Sequence, residues 1–374
     1  MKKFLALLLS LVMVLALVAC GDKKDDTNTD NQDNNEVTDF KVGFIMLHDE
    51  NSTYDLNFIN AAKEACETLG VEYTIVTNVP EGQECYDKAA ELADAGCNII
   101  FADSFGHEDY MIQAAKDFPD VQFCHSTGTK AHTEGLSNYH NAFASIYEGR
   151  YLAGIAAGMK LNEMIADGKI TADQAVIGYV GAFTYAEVVS GMTSFFLGAR
   201  SVCPSATMKV RYTGSWYDQA KEQEAATSLI EKDKCVLISQ HADSLGAPTA
   251  CELAGVPNVS YNGSTYSAGE NTFIISSAIN WAPYFQYIIE SVIKGEAIDT
   301  DWCGDIAANS VVLTGINMGV AAEGTAEKIQ EAIKGFEAGT LHVFATDAFT
   351  MNGEHLTEYL ADVDGDFTGE TNVI

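Results

Sequence analysis

The sequence predicts an α/β protein built as two doubly wound, Rossmann-like lobes with a hinge. Three observations predict it. Short apolar runs alternate with helical repeats along most of the 374 residues, a length sufficient for two domains. The alternation pauses at a long helix of small residues over 146–164 and then starts again. Polar and aromatic clusters follow the apolar runs, where open α/β sheets present the carboxyl ends of their strands.

In order, Lys41–Leu47 is a strand and His48-Asp49-Glu50-Asn51-Ser52-Thr53-Tyr54 its loop. Phe58, Ala62, Ala65, Cys66 and Leu69 repeat at helical spacing, and Gly70 closes that helix. Strands are expected at Val71–Val76, Cys97–Ala102 and Val121–His125, with helices at Cys85–Ala95 and Tyr110–Phe118. A short fifth strand falls at Leu136–Asn138. In the 146–164 helix, Gly154 and Gly158 have G-x-x-x-G spacing, but Glu148, Arg150 and Lys160 interrupt the face. Close helix–sheet packing is therefore expected there, not a membrane dimer.

The second half repeats the pattern. Strands are expected at Ala175–Val180, Met208–Tyr212, Cys235–Ile238, Val256–Tyr261, Phe273–Ser277 and Ser310–Leu313. Helices fall at Glu187–Ala199, Ala220–Lys232, Leu245–Leu253 and Thr325–Ala338. Another begins at Asn280-Trp281-Ala282-Pro283-Tyr284 and runs to about Lys294, with Pro283 in its first turn. Lobe one is expected to comprise residues 40–140 and 278–305, and lobe two residues 141–277 and 306–374. The hinge strands then lie near 138–141, 277–280 and 305–310.

The segment Val210–Ser244 carries the candidate site. Its two strands, joined by one helix, make a parallel βαβ unit. The turn with Gly214, Ser215, Trp216 and Asp218 and the cluster Gln240, His241, Asp243 and Ser244 then leave neighbouring strands at one crevice. A Trp ring beside several donors and acceptors suits a small, flat, polar heterocycle. Singly, Trp216 would fit a core, and Asp218 and Asp243 would fit helix caps; the set favours a site.

The chain opens with Lys2, Lys3 and an apolar run from Phe4 to Val18, read as a signal peptide over residues 1–19. Leu17-Val18-Ala19-Cys20-Gly21 resembles the lipobox of bacterial lipoproteins, which implies that Cys20 is lipidated and anchors the protein at the extracytoplasmic face of the membrane. Residues 20–39 are Asp/Asn/Thr-rich and are expected to be a disordered tether. Without Lys2 and Lys3, 19 basic side chains face 53 acidic ones, a formal charge of −34. Such a surface repels nucleic acid. Eight further cysteines are scattered through the predicted elements without a C-x-x-C pair, so no disulfide framework is expected.

The layout of signal, tether and two βα lobes resembles the periplasmic-binding-protein type I fold. Gly149-Arg150-Tyr151-Leu152-Ala153-Gly154, Ile177-Gly178-Tyr179-Val180, Glu187-Val188-Val189 and Gly198-Ala199-Arg200-Ser201 resemble the basic membrane protein family of ABC-transporter substrate-binding lipoproteins. Ser215-Trp216-Tyr217-Asp218, Gln240-His241-Ala242-Asp243-Ser244 and Asn280-Trp281-Ala282-Pro283-Tyr284 are similar to its purine-binding branch. The resemblance spans Lys41 to about Asp347. It implies a purine base or nucleoside as ligand, an ABC permease as partner, a monomer, no enzymatic activity, and no cofactor or metal.

By the same resemblance, Trp216 would stack the ring, and Asp49 and Tyr54 match first-loop positions. Ser104 and Phe105 match the Ser-Phe-Gly loop, while Gln240, His241 and Asp243 match the polar strand end. Asn280 and Trp281 belong to the last motif. Asn262 stands where nucleoside-binding relatives carry an Asp for the ribose hydroxyls; the amide lacks charge assistance, which favours the free base. The first loop has Asn51-Ser52-Thr53 where a Trp is expected, leaving a second stacking face to Phe105 or Phe183.

Three other readings compete with this one. An enzyme lacks support, because no G-x-S-x-G elbow, P-loop or H-E-x-x-H is present. His48, His107, His125 and His241 fall at predicted strand ends and could converge on a metal, but no two are spaced i, i+4. A sugar binder or sensor-linked protein of the same fold would use similar aromatics and amides.

Overall fold

The computed structural model describes residues 40–345, 347, 349–350 and 353–355. The first half runs β1 (Lys41–Ile45), α1 (Thr53–Leu69), β2 (Glu72–Val76), α2 (Gln83–Asp94), β3 (Ile99–Ala102), α3 (Glu108–Asp117), β4 (Gln122–His125), α4 (Ala131–Glu134) and β5 (Tyr139–Ala144). Then come α5 (Ile146–Ala166), β6 (Val176–Gly181), α6 (Ala186–Val202), β7 (Thr207–Tyr212), α7 (Gln219–Glu231), β8 (Leu237–His241), α8 (Gly246–Ala254), β9 (Asn258–Tyr261) and β10 (Phe273–Ile279). α9 (Ala282–Lys294), β11 (Asp301–Gly304), β12 (Val311–Leu313) and α10 (Thr325–Glu337) complete the order.

The strands form two six-stranded sheets. One has the order β11-β5-β4-β3-β1-β2 and is parallel throughout. The other has the order β12-β10-β9-β8-β6-β7, parallel except for antiparallel β12. The expected α/β class, doubly wound in two halves, is therefore observed. The chain passes between the sheets after β5, after β10 and after β11, and backbone bonds tie these passages together: Ser145 N–H to the Gly304 carbonyl (2.8 Å) and Asn280 N–H to the Ser310 carbonyl (2.7 Å).

Each sheet is covered on both faces, as parallel sheets require. On the first, Phe44, Phe101 and Phe285 pack edge to face under α1 and α9, while Ile100, Met111 and Ile112 fill the side under α2 and α3. On the second, α5 and α6 cover one face and α7 and α8 the other.

Three expectations need correction. The fifth strand is Tyr139–Ala144, not Leu136–Asn138. Its His140 and Asn141 are polar yet buried, because His140 Nε2 pairs with Gln122 (2.9 Å) and Asn141 accepts the Gly128 N–H (2.6 Å). β7 and β8 are not neighbours, since β6 lies between them. The glycines of α5 serve mainly helix–helix packing: a Cβ on Gly154 would collide with the Phe195 carbonyl of α6, and one on Gly198 with the Tyr151 carbonyl of α5. Gly149 alone faces the sheet, where a Cβ would lie 2.8 Å from a Val311 methyl and 3.1 Å from Ser277 Cβ.

Alanine normally gains about 1 kcal/mol over glycine inside a helix. Gly154→Ala should instead lower the thermal midpoint, losing roughly 1–3 kcal/mol as rigid backbone is pushed apart. Gly149→Ala, which meets side-chain atoms of Val311 and Ser277 rather than backbone, should cost less; equal midpoints for the two variants in thermal melts would contradict this packing.

Candidate functional site

The loop after β1 curls around one buried acid. Asp55 accepts the His48 backbone N–H at 2.6 Å and the Ser52 hydroxyl at 2.5 Å, and Ser52 in turn caps α1 by accepting the Asp55 N–H. Burial works upward on the Asp55 carboxyl, but the bonds from His48 and Ser52 outweigh it and hold it below the usual range. Asp49 is tied to Asn51 through the Asn51 N–H (3.0 Å) and amide (2.8 Å) at the rim.

In the first turn of α1, Tyr54 donates its hydroxyl to the Asp103 carbonyl at 2.7 Å, just past β3. Burial, with Glu187, Asp103, Asp243 and Asp55 nearby, keeps that phenol protonated. Asp103 itself is fully buried; Oδ1 accepts the Leu47 N–H and Oδ2 has no hydrogen-bond donor. Burial pushes its carboxyl well up, and the Asp55 charge adds to the rise. Ser104 donates to Glu81 at 2.6 Å, while Phe105 leaves its ring 39% exposed.

The second sheet presents the other wall. Phe183 stacks on Tyr185 at 5.0 Å, and Trp216, half-buried, meets the Phe183 ring edge to face at 4.9 Å. Gln240 is fully buried; its Nε2 donates to the Ala242 and Ser244 carbonyls at 3.2 Å, leaving Oε1 without a partner. The His241 ring lies 3.9 Å from that of Tyr261, and its Nε2 is 3.3 Å from Glu187. Burial lowers the His241 pKa against the pull of Glu187, so the neutral ring donates Nε2–H to the carboxylate. Tyr261 donates to Glu187 at 2.9 Å. Asp243 accepts the Asn262 amide at 3.3 Å, and Asn262, with φ +61°, holds its own Oδ1 unpartnered.

Beneath this wall lies Arg150 of α5, fully buried. It donates to the Ser260 carbonyl (3.0 Å), Ser239 hydroxyl (2.8 Å) and Gln240 carbonyl (3.1 Å), and its guanidinium sits 4.9 Å from the Phe195 ring. It thus fixes the carboxyl ends of β8 and β9 from behind. The two walls touch: Thr53 N–H donates to the Asp243 carbonyl (3.2 Å), Asn57 to the Asn262 carbonyl (2.8 Å), and Phe105 meets Tyr185 at 5.3 Å.

Tyr54, Ser104 and Phe105 are thereby brought opposite Trp216, Gln240, His241, Asp243 and Asn262. Two residues do not join them. Trp281, 1% exposed, stacks on Phe58 at 4.6 Å in the core under α1 and α9, because the first turn of α9 faces that core. Asn280 is spent on the passage between sheets, capping the Ala282 N–H and donating to the Asn309 carbonyl. Asp103, Glu187 and Arg150 adjoin this cluster, and the sequence does not single them out. The available signal for Arg150 is a cation set among the small apolar residues of the first half of α5, a helix whose other cation, Lys160, lies near its end. His107 Nε2 bonds the Val79 carbonyl and His125 Nε2 the Ser104 carbonyl. Among the described residues, no group of three or more His, Cys, Asp or Glu could hold a metal ion, and no helix is long and apolar enough to cross a membrane. The eight described cysteines are free thiols. Cys20 and the apolar run before it lie outside the described residues.

Two mostly parallel sheets whose strand ends face each other make the fold of periplasmic binding proteins. A solved ABC-transporter solute-binding protein from Conexibacter woesei superposes with TM-score 0.66 over 83% of this chain and all of its own, at 20% identity. The family described as ABC transporter substrate-binding protein PnrA-like (Bmp) matches residues 43–334, and the chain belongs to it. A purine-binding protein of Brucella abortus is 35% identical over 68% of this chain and 69% of its own length. A Haloferax volcanii protein named for glucose binding by an ABC transporter is 34% identical over 70% of this chain and 61% of its own length.

The raised Asp103 carboxyl gives a signed pH dependence. A folded-state pKa above the unfolded one stabilises most below the unfolded value, and that contribution fades as pH rises through the folded value. Asp103→Asn escapes this loss. Its thermal midpoint relative to wild type should therefore climb from acid to alkaline buffer; a pH-independent difference between the two melting series would show that Asp103 is not held neutral.

Proposed function

We propose that this substrate-binding protein captures a purine base or nucleoside between its two walls and delivers it to an ABC permease. The observation that carries the reading is the half-buried Trp216 ring beside Phe183, set next to unpartnered buried acceptors. An aromatic ring stacks a flat base, and Gln240 Oε1 and Asn262 Oδ1 are free to accept hydrogen bonds from ligand N–H groups. Asp49 at the rim, Tyr54, Ser104, Phe105, His241 and Asp243 complete the proposed binding set. The Brucella relative named for purine binding supports the same ligand class. Asn262 in place of an acid favours the base over the nucleoside. The Haloferax relative favours a sugar as the second reading, since amides and aromatics also bind sugars.

The rest of the proposed arrangement follows from the sequence. Cys20 would carry lipid and hold the protein outside the membrane, with residues 20–39 as tether. The two lobes would close about their three passages as a monomeric clamp, without catalysing a reaction.

Trp216→Ala separates a site residue from a core residue. Stacking is worth on the order of 1–3 kcal/mol per base, so adenine affinity should fall roughly ten- to hundredfold while the ligand-free protein melts nearly as before. A deep fall in melting temperature with unchanged affinity would remove the ring from the site. Cys20→Ser protein should leave the membrane fraction for the soluble one; continued firm attachment in a fractionation assay would place the anchor elsewhere.

A further inference from the structure

Glu222 lies in the first turn of α7, yet its side chain is fully buried. Its Oε1 accepts the Asp218 backbone N–H at 3.2 Å, in the turn that carries Trp216. Both of its oxygens lie 3.3 Å from the Ser244 backbone N, in the loop that carries Asp243. A third bond closes the triangle, from the Asp243 N–H to the Trp216 carbonyl at 3.0 Å. Gly246 makes the approach possible: a Cβ there would collide with the Gln219 carbonyl and lie 2.8 Å from the Gln223 nitrogen, so α8 can start this close to α7 only with glycine.

Among the described residues no Lys or Arg pairs with Glu222, and Lys221 turns away to Asp218 at 3.1 Å. The titratable groups that face it are Asp218 on the cap of α7, Asp243 on the loop after β8, and Tyr217 in the turn. A buried, unpaired acid is a poor stabiliser compared with an apolar side chain. What it supplies is an acceptor for N–H groups on two separate loops.

We propose that Glu222 is a positioning residue of the binding crevice, its carboxylate tying the Trp216 turn to the Asp243 loop from beneath. The proposal rests on the crevice being the ligand site. Ionised, the carboxylate makes charge-assisted bonds to both loops; protonated, it holds them less firmly. Burial pushes its pKa up to about 7, so the clamp changes strength around neutrality.

The test has a ligand-free arm and a ligand arm. Tryptophan fluorescence is followed from about pH 5.5 to about pH 8.5, bracketing the Glu222 value of about 7, with Trp216→Phe protein as the blank. The Trp216 signal should show a transition in wild type, keep it in His48→Asn, and lose it in Glu222→Gln. His48 is the control because its ring lies 5.4 Å from that of Tyr217. A transition that survives Glu222→Gln, that disappears with His48, or that is absent from wild type overturns the proposal. The wild-type and His48→Asn traces still decide if the Gln variant does not fold. In the ligand arm, adenine should bind Glu222→Gln roughly tenfold more weakly at about pH 8, and unchanged affinity there overturns the proposal. If adenine fails to bind wild type, the purine reading falls while the fluorescence arm still judges Glu222.

Discussion

In a parallel sheet every strand delivers its carboxyl end to the same edge, and in this chain two such edges meet. The loops after β1 and β3 come from one sheet, and those after β6, β7, β8 and β9 from the other. The bonds from Thr53 to Asp243 and from Asn57 to Asn262 mark where they touch. The βα order of the chain therefore decides which residues can share a site. Trp216 and Asp243 are neighbours although β6 separates their strands in the sheet, because their loops rise above that strand and bond to each other.

The crevice is organised by acids held under different conditions. Asp55 is kept ionised by the donors around it, whereas burial raises Asp103 and Asp243. Glu187 stays ionised despite burial because His241 and Tyr261 donate to it. Arg150 stands behind the wall, bonded mainly to carbonyls and hydroxyls, and its positive charge helps keep His241 neutral. The result is a wall rich in acceptors and poor in mobile charge. Such a surface suits a neutral ligand that donates several hydrogen bonds, and the cost of burying the acids falls on stability.

Much of the fold was legible because apolar runs and helical repeats alternate cleanly, and punctuation such as Gly70 marks real helix ends. What escaped was written in tertiary contacts. β5 hid behind His140 and Asn141, whose polarity is satisfied only by distant partners. β11, Asp301–Gly304, was missed because it pairs with a strand about 160 residues earlier. Within the candidate site, the proximity of Trp216, Gln240, His241 and Asp243 is legible because they lie close in sequence. Trp281 was misplaced because an aromatic in a helix-start motif looks alike whether it faces core or crevice; stacking on Phe58 decides it. Arg150, Glu187 and Glu222 act on the site from helices, and no local pattern announces that.

The central claim is that the two walls enclose a flat base rather than a sugar. Calorimetric titration of one preparation of the protein with adenine, adenosine and glucose tests it most directly, since all three meet the same crevice under the same conditions. Our account predicts a saturable isotherm with adenine, weaker binding of adenosine because Asn262 offers the ribose no charge-assisted bond, and no heat of binding with glucose. Saturable binding of glucose with none for either purine would contradict it.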